Sequence, residues 1–384
     1  MRCVEPVDPS AFLADHWERL PLIVPRGGRS SFDDLISEPN LERLVCSGAL
    51  RNPAFRLVKA GERLRLRDHA VDIPWRPSAF TGVADPGAVS AAFADGATIV
   101  AQGLHHWWPP IARFCRALEA ELGHPTQANA YWTPRDSQGL PVHHDTHDVF
   151  VLQIAGEKRW LVYEPVLELP LKDQRYSPEL GGPGEVVHDV VLQAGDTMYL
   201  PRGWLHQAMT SEVDSLHLTV GVNLYTWIEA LRAALKACES ELELRRSVPA
   251  DGEGGRDLAA LLAERLEPEA VVRRMRRRFI DGRRPILDDR ISELRALDEL
   301  TVDTEVVRRP TVIFDMRTRG DGSVRLAFEG KRVVLPPHAR EEVERLAVAD
   351  EPVRLADLPG ELDEESRLVL ARRLVREGFL RLAG

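Results

Sequence analysis

Lysine is scarce in this chain: of 50 basic residues only Lys59, Lys158, Lys172, Lys236 and Lys331 are lysines. Arginine is the default cation, so a lysine in a telling place marks a position to inspect. Cysteine is equally sparse, and Cys3, Cys46, Cys115 and Cys238 form no C-x-x-C pair. Their scatter excludes a disulfide framework and a cysteine zinc site, and fits thiols kept reduced in a cytoplasm. Long apolar runs are missing. Val149-Phe150-Val151-Leu152 falls far short of the roughly 18 residues that a membrane helix needs. The opening residues lack the charged, apolar and small-residue succession of a secretory signal, so the expectation is a cytoplasmic chain with no membrane partner. A basic excess is absent too. Net charge is −10: residues 1–225 carry 20 Lys+Arg against 28 Asp+Glu, residues 226–300 carry 15 against 16, and residues 306–384 carry 15 against 14. No stretch has the balance of a nucleic-acid grip, and no specific nucleic-acid partner is expected. The acidic first part suits a basic partner or serves solubility alone.

What is present is ordinary globular material, 44% apolar and 29% charged over 384 residues, enough for two or three domains with a sizeable core. Three stretches differ in pattern. Up to about residue 226, strand signals dominate: 149–154 and 159–163 joined by a short turn at 155–158, then 186–192, 197–200 and 216–225. A helix is expected at 111–122, where Phe114, Leu118 and Leu122 recur at four-residue spacing. Residues 227–305 turn helical, with Ile228, Leu231, Leu235, Cys238 and Leu242 on one face. A second helix follows the Gly-rich break at 251–255 and carries Leu258, Leu261, Leu262 and Leu266. The run Arg273-Arg274-Met275-Arg276-Arg277-Arg278 resembles a nucleic-acid patch in isolation, but nearby Glu264, Glu267 and Glu269 read it as a solvated helix face. Residues 306–384 read as a small α+β unit, with a hairpin turn at 319–323 and a helix at 363–377 stopped by Gly378.

The chemistry concentrates in residues 129–219. In His143-His144-Asp145, alternation along an extended backbone points His143 and Asp145 one way and His144 the other. His206, set beyond the Pro-Gly turn of Leu200-Pro201-Arg202-Gly203, supplies a second imidazole. Two imidazoles and one carboxylate make the facial set that leaves open positions on Fe(II). Among 12 histidines, a bare H-x-D and a later histidine carry little weight without their surroundings. Lys158 is either a solvent-facing turn lysine or, if the flanking strands pair as a hairpin, an ammonium reaching a carboxylate near the metal. His147 shares the parity of His143 and Asp145, so a different ligand choice is open.

Those surroundings resemble a known family. Asn129-Ala130-Tyr131-Trp132-Thr133-Pro134, the segment from Ser137 through Asp145, Phe150-Val151-Leu152-Gln153, Gly156-Glu157-Lys158-Arg159-Trp160 and Leu200-Pro201-Arg202-Gly203-Trp204-Leu205-His206-Gln207 are similar to the JmjC ribosomal oxygenases. These are cupin-fold protein hydroxylases dependent on Fe(II) and 2-oxoglutarate. The resemblance implies an α+β chain: a double-stranded β-helix catalytic domain at 1–226, a helical dimerisation region at 227–305 and a winged-helix-like domain at 306–384. It makes His143, Asp145 and His206 the iron ligands and pairs Lys158 with the distal carboxylate of 2-oxoglutarate. Asn129 and Tyr131 would line the co-substrate and substrate pocket. His217 and Thr219, alternating on the last strand, either join them or are satisfied core polar residues.

The implied chemistry is oxidative, with 2-oxoglutarate and O₂ consumed and a hydroxyl placed on an unactivated C–H. Three readings follow. The first is hydroxylation of a histidyl or arginyl side chain of a protein, expected to be a basic ribosomal protein, by a homodimer. The second is the same chemistry on a small molecule or short peptide. The third is a non-catalytic cupin interaction module, which the intact ligand set and Lys158 oppose.

Overall fold

The computed structural model describes every residue except 29–30, 49, 139, 249, 251–257, 261, 264–265 and 384. The chain folds as two units, Met1–Leu224 and Tyr225–Gly384. No described helix is long and apolar enough to cross a membrane. All four cysteines are unbonded.

The first unit is built on a ten-stranded antiparallel assembly. Its strands are β1 (Leu22–Val24), β2 (Phe55–Lys59), β3 (Glu62–Arg63), β6 (Thr98–Ala101), β7 (Thr126–Thr133), β8 (Asp148–Tyr163), β9 (Val186–Gln193), β10 (Thr197–Leu200), β11 (Leu205–Met209) and β12 (Ser215–Val222). A separate hairpin joins β4 (Ala70–Trp75) and β5 (Ser78–Ala84). The main path runs β1-β10-β8-β12-β7-β6-β2-β3, while β9 and β11 pair with the far half of β8. Apolar residues on the outer face of β7, β8 and β12, such as Ala128, Leu152 and Leu218, form the core with the buried face of helix Pro109–Leu122. This is a cupin-like β-sheet domain.

Strand β8 corrects the sequence expectation. Residues 149–154 and 159–163 are not two strands of a hairpin; they belong to one strand of 16 residues. Gly156 is not a hairpin turn. It bends the strand at φ +61°, and an added Cβ would lie 1.8 Å from the Asp214 carbonyl oxygen of the neighbouring chain segment. Before the bend β8 pairs with β10 and β12, and after it with β9 and β11.

The second unit begins with helix α5 (Trp227–Ala237), whose capping box uses Thr226 and Glu229. We number as α6 the helix Pro268–Asp281 and as α9 the helix Glu364–Glu377. Residues 251–255 and Leu261 lie outside the described residues. The expected stripe of Ile228, Leu231, Leu235, Cys238 and Leu242 does not bury as one face. Ala230, Ala234 and Cys238 are buried, whereas Ile228, Leu235 and Leu242 are exposed. The α-helix ends at Ala237 and tightens into a 3-10 turn at Cys238–Ser240, so Leu242 falls beyond it. Farther on, β14 (Phe314–Thr318), β15 (Val324–Phe328) and β16 (Lys331–Leu335) form one sheet. In α9, Asp363 caps the N-terminus and Gly378, at φ +82°, ends the helix as its position foretells.

Candidate metal centre

The side chains of His143, Asp145 and His206 converge, each offering a ligand atom within 4.8 Å of the others. The convergence comes from backbone pairing. His143 forms an isolated bridge with His206, with N–H···O distances of 3.1 and 2.9 Å in the two directions. Residues 144–147 are irregular rather than strand, yet the expected alternation holds at the site. His144 is buried away from the cluster, its Nε2 lying 3.1 Å from the Gln174 carbonyl oxygen.

Both imidazoles are fixed in one tautomer. His143 Nδ1 lies 2.7 Å from the Pro141 carbonyl oxygen, and His206 Nδ1 lies 3.0 Å from that of Trp204. A carbonyl only accepts, so each Nδ1 carries a proton, and Nε2 is the nitrogen left to face a metal. Burial, helped by the nearby His143, lowers the His206 pKa to about 4, so that ring is neutral at physiological pH. Burial opposes ionisation of Asp145, but the fields of His147, His206, His143 and His144 outweigh it and hold the carboxyl below its usual range. Asp145 Oδ2 stands 3.8 Å from His206 Nε2. Two imidazole nitrogens and one carboxylate are a donor set for a divalent cation.

The turn before His206 is anchored from beneath. Buried Asp148 accepts hydrogen bonds from the Tyr199 hydroxyl and the Arg202 backbone N–H, and Arg202 also ion-pairs with Glu18. Burial raises the Asp148 pKa, while the Tyr199 hydroxyl and Arg202 oppose the rise.

A cavity of about 420 Å³ opens beside the cluster, walled by both halves of β8 and by β7, β11 and β12. Asn129, Tyr131, His147, Lys158, His217 and Thr219 all line it. Strand β12 places His217 opposite Tyr131 and Thr219 opposite Asn129. His217 stacks on the Tyr131 ring at 5.1 Å between centroids and 3° between planes. Burial, reinforced by Lys158, pushes the His217 pKa well down, so it sits neutral on the cavity wall. Asn129 Oδ1 accepts from the Gly103 N–H at 3.0 Å. His147 lines the cavity but stays outside the three-residue cluster. It lies against Gly221, where an added Cβ would come within 2.3 Å of its ring.

Lys158 is buried in the wall, not exposed on a turn. Its Nζ donates to Thr133 Oγ1 at 2.8 Å, and Thr133 meets Thr98 at 3.1 Å. No carboxylate among the described residues pairs with the Lys158 ammonium, and burial lowers its pKa to about 7. A charged group this enclosed is costly unless an anion joins it.

Several residues that line the cavity or hold Lys158 had escaped sequence reasoning. Thr133 shares strand parity with Asn129 and Tyr131, so the alternation of β7 contained its signal. Arg56, whose Nε is buried without a partner, and Thr98 come from β2 and β6, where no motif announces them. Trp160, in the same wall as Lys158, approaches His206 at 6.0 Å between ring centroids.

Comparison with known proteins agrees with this arrangement. A family model described as the JmjC domain matches residues 105–230. Ribosomal oxygenase 1 of Gallus gallus is 32% identical over 257 residues, covering 65% of this chain and 41% of that protein. The bifunctional lysine-specific demethylase and histidyl-hydroxylase NO66 of Drosophila persimilis is 31% identical over 261 residues, covering 65% of this chain and 36% of the relative. The chain thus spans about two fifths or less of the length of these curated relatives. Among solved structures, the Escherichia coli ribosomal oxygenase YcfD in complex with cobalt and succinic acid superposes with a TM-score of 0.61. That match covers 99% of both chains at 21% identity, a likeness of fold. Residues 105–230 are thus similar to a JmjC domain, and the chain resembles ribosomal oxygenase 1 of Gallus gallus over 65% of its own length.

Proposed function

We propose that this protein is an Fe(II)- and 2-oxoglutarate-dependent oxygenase that hydroxylates a histidyl or arginyl side chain of a ribosomal protein. The observation that carries the proposal is one cavity holding both the His143–Asp145–His206 cluster and a buried lysine that no carboxylate pairs with among the described residues. His143 and His206 would hold iron through Nε2 and Asp145 through its carboxylate. Lys158, steered by Thr133, would receive the distal carboxylate of 2-oxoglutarate, while Asn129, Tyr131 and Thr219 line the co-substrate and substrate space. Iron, 2-oxoglutarate and O₂ together supply the oxidising power for insertion of a hydroxyl into an unactivated C–H.

The residues themselves do four things. The Nδ1–carbonyl bonds orient the imidazoles, and Asp145 balances charge at the centre. Lys158 selects a dianionic co-substrate of the right length. Trp160, His217 and the apolar wall of Val149, Val151 and Leu200 limit water beside the reacting centre. Around this site we assign residues 1–226 to the catalytic domain, 227–305 to a helical dimerisation region and 306–384 to a winged-helix-like domain. The expected assembly is a cytoplasmic homodimer acting on a basic ribosomal protein, without specific DNA or RNA recognition.

The test is coupled turnover. Purified protein with Fe(II), 2-oxoglutarate and a ribosomal protein mixture should release succinate, and His206→Ala should release none above background. Wild-type turnover in His206→Ala would remove the assignment.

A further inference from the structure

The second unit contains a strongly cationic groove that charge counts along the sequence conceal. Residues 226–300 and 306–384 each balance almost to zero, but the fold brings the arginines of one against those of the other. A cavity of about 250 Å³ lies between α6 and the sheet β14-β15-β16. Helix α6 contributes Arg273, Arg274, Arg276 and Arg277, and the sheet contributes Arg317, Arg325 and Arg332. Among the described residues of the lining Asp315 is the one carboxylate, so seven arginines face one negative charge.

The pattern on each wall is regular. Arg273, Arg276, Arg277 and Ile280 recur at helical spacing on one side of α6, whose opposite side buries Val271, Met275 and Phe279. On β15, Arg325 and Ala327 alternate with the core residues Val324, Leu326 and Phe328, so the arginines occupy the back of a sheet whose front is core. Some of the charge is spoken for. Arg332 bonds Asp281 at 2.6 Å, Arg317 bonds Asp315 at 2.7 Å, and Arg274 donates to the carbonyls of Ala233 and Ala234. Among the described residues, Arg276, Arg277 and Arg325 have no carboxylate partner. Arg317 and Arg325 stand directly opposite each other across β14 and β15, a like-charge pair that costs stability unless an anion lies between them.

We infer that this groove binds the phosphodiester backbone of a nucleic acid, without reading its sequence. Both walls carry guanidinium groups, whose planar forks match phosphate oxygens. The remaining lining is Ala270, Ile280 and Ala327, with no aromatic ring on which a base could stack and no deep apolar socket to seat a peptide side chain. Affinity therefore rests on charge, and specificity for a base sequence is absent.

The experiment uses the full chain and fluorescence anisotropy with labelled mixed-sequence oligomers of about 12 nucleotides, one RNA and one DNA, beside an oligo-glutamate peptide of equal charge. The expected result is nucleic-acid binding in the micromolar range at low salt. If about four phosphates are neutralised, affinity falls by about 50-fold between roughly 50 and 200 mM salt. The RNA and DNA arms identify which nucleic acid supplies the backbone. The triple variant Arg276→Ala, Arg277→Ala, Arg325→Ala should lose at least about tenfold in affinity, and the corresponding triple lysine variant should recover most of it. On unmodified protein, bound oligomer should shield Arg276, Arg277 and Arg325 from an arginine-specific dicarbonyl reagent, read by peptide mass. The inference falls if neither nucleic acid binds, if oligo-glutamate binds as tightly, if the alanine variant binds unchanged, or if these arginines remain unprotected.

Discussion

A lysine ammonium enclosed in a cavity wall, touching a threonine hydroxyl and no carboxylate, is an incomplete ion pair. Its proposed completion by 2-oxoglutarate would have two measurable consequences. A charge-assisted contact of this type contributes roughly 1.5–3 kcal/mol, so Lys158→Ala should weaken 2-oxoglutarate binding about 10- to 150-fold while leaving metal affinity nearly unchanged. Titration calorimetry with each ligand separates the two, and equal 2-oxoglutarate affinity in the variant would return Lys158 to a structural role. The second consequence concerns protons. The folded-state pKa of Lys158, about 7, lies below its ordinary value of 10.5. Between those values the unfolded chain binds more protons at this residue than the ligand-free fold does. The resulting stability penalty is absent above the upper value, grows as pH falls and is complete once pH is below about 7. A bound carboxylate raises the pKa again, so binding near pH 8 should take up a proton. The observed binding enthalpy should then change with the ionisation enthalpy of the buffer, and Lys158→Arg should abolish that dependence. At the neighbouring histidine the expectation is opposite in kind: His144 bonds to the Gln174 carbonyl away from the cluster, so His144→Ala should keep iron-dependent turnover.

At the scale of the element, the position of Lys158 is decided by strand β8. Val149, Val151 and Gln153 share one side of the strand, and simple alternation would turn Lys158 to the other. The register with β12 slips by one residue, Leu216 facing Ala155 but His217 facing Gln153, so Ile154 is extra. That bulge inverts the parity and brings Lys158 and Trp160 onto the cavity side. Gly156 then carries the strand past Asp214. Gly156→Ala should cost about 2 kcal/mol or more through its positive φ and backbone clash, lowering the thermal midpoint by about 4–8 °C. An unchanged midpoint would mean that the bend relaxes freely. This also explains what the sequence could and could not disclose. The H-x-D alternation, the turn before His206 and the parity of β12 are local patterns, and the fold brings His143, Asp145 and His206 together with His217 and Thr219 on the same cavity. The bulge depends on a neighbour some 60 residues away, so 155–158 looked like a hairpin turn. Arg56 and Thr98 reach the cavity only through tertiary pairing of β2 and β6 with β7. In α5 the periodicity of large apolar residues was legible, but the small residues Ala230 and Ala234 took the buried face.

For the whole molecule, that exposed stripe bears on assembly. Trp227, Ile228 and Leu235 are 64%, 39% and 47% exposed, and such side chains are commonly covered by a partner. Leu231→Glu with Leu235→Glu should convert a homodimer to monomers by light scattering, and an unchanged dimer would put the interface elsewhere. The arginine groove is a separate feature of the same unit, and α9 does not contribute to it. That helix buries Leu370, Ala371, Leu374 and Val375 and opens with Glu364 and Glu365, which repel phosphate, so no sequence-specific DNA complex is expected at physiological salt. Intact-mass measurement of ribosomal proteins from cells with and without this gene reads the proposed reaction itself. One protein should be lighter by a single oxygen atom when the gene is removed, restored by the wild-type chain but not by His206→Ala. Identical mass spectra with and without the gene would contradict it.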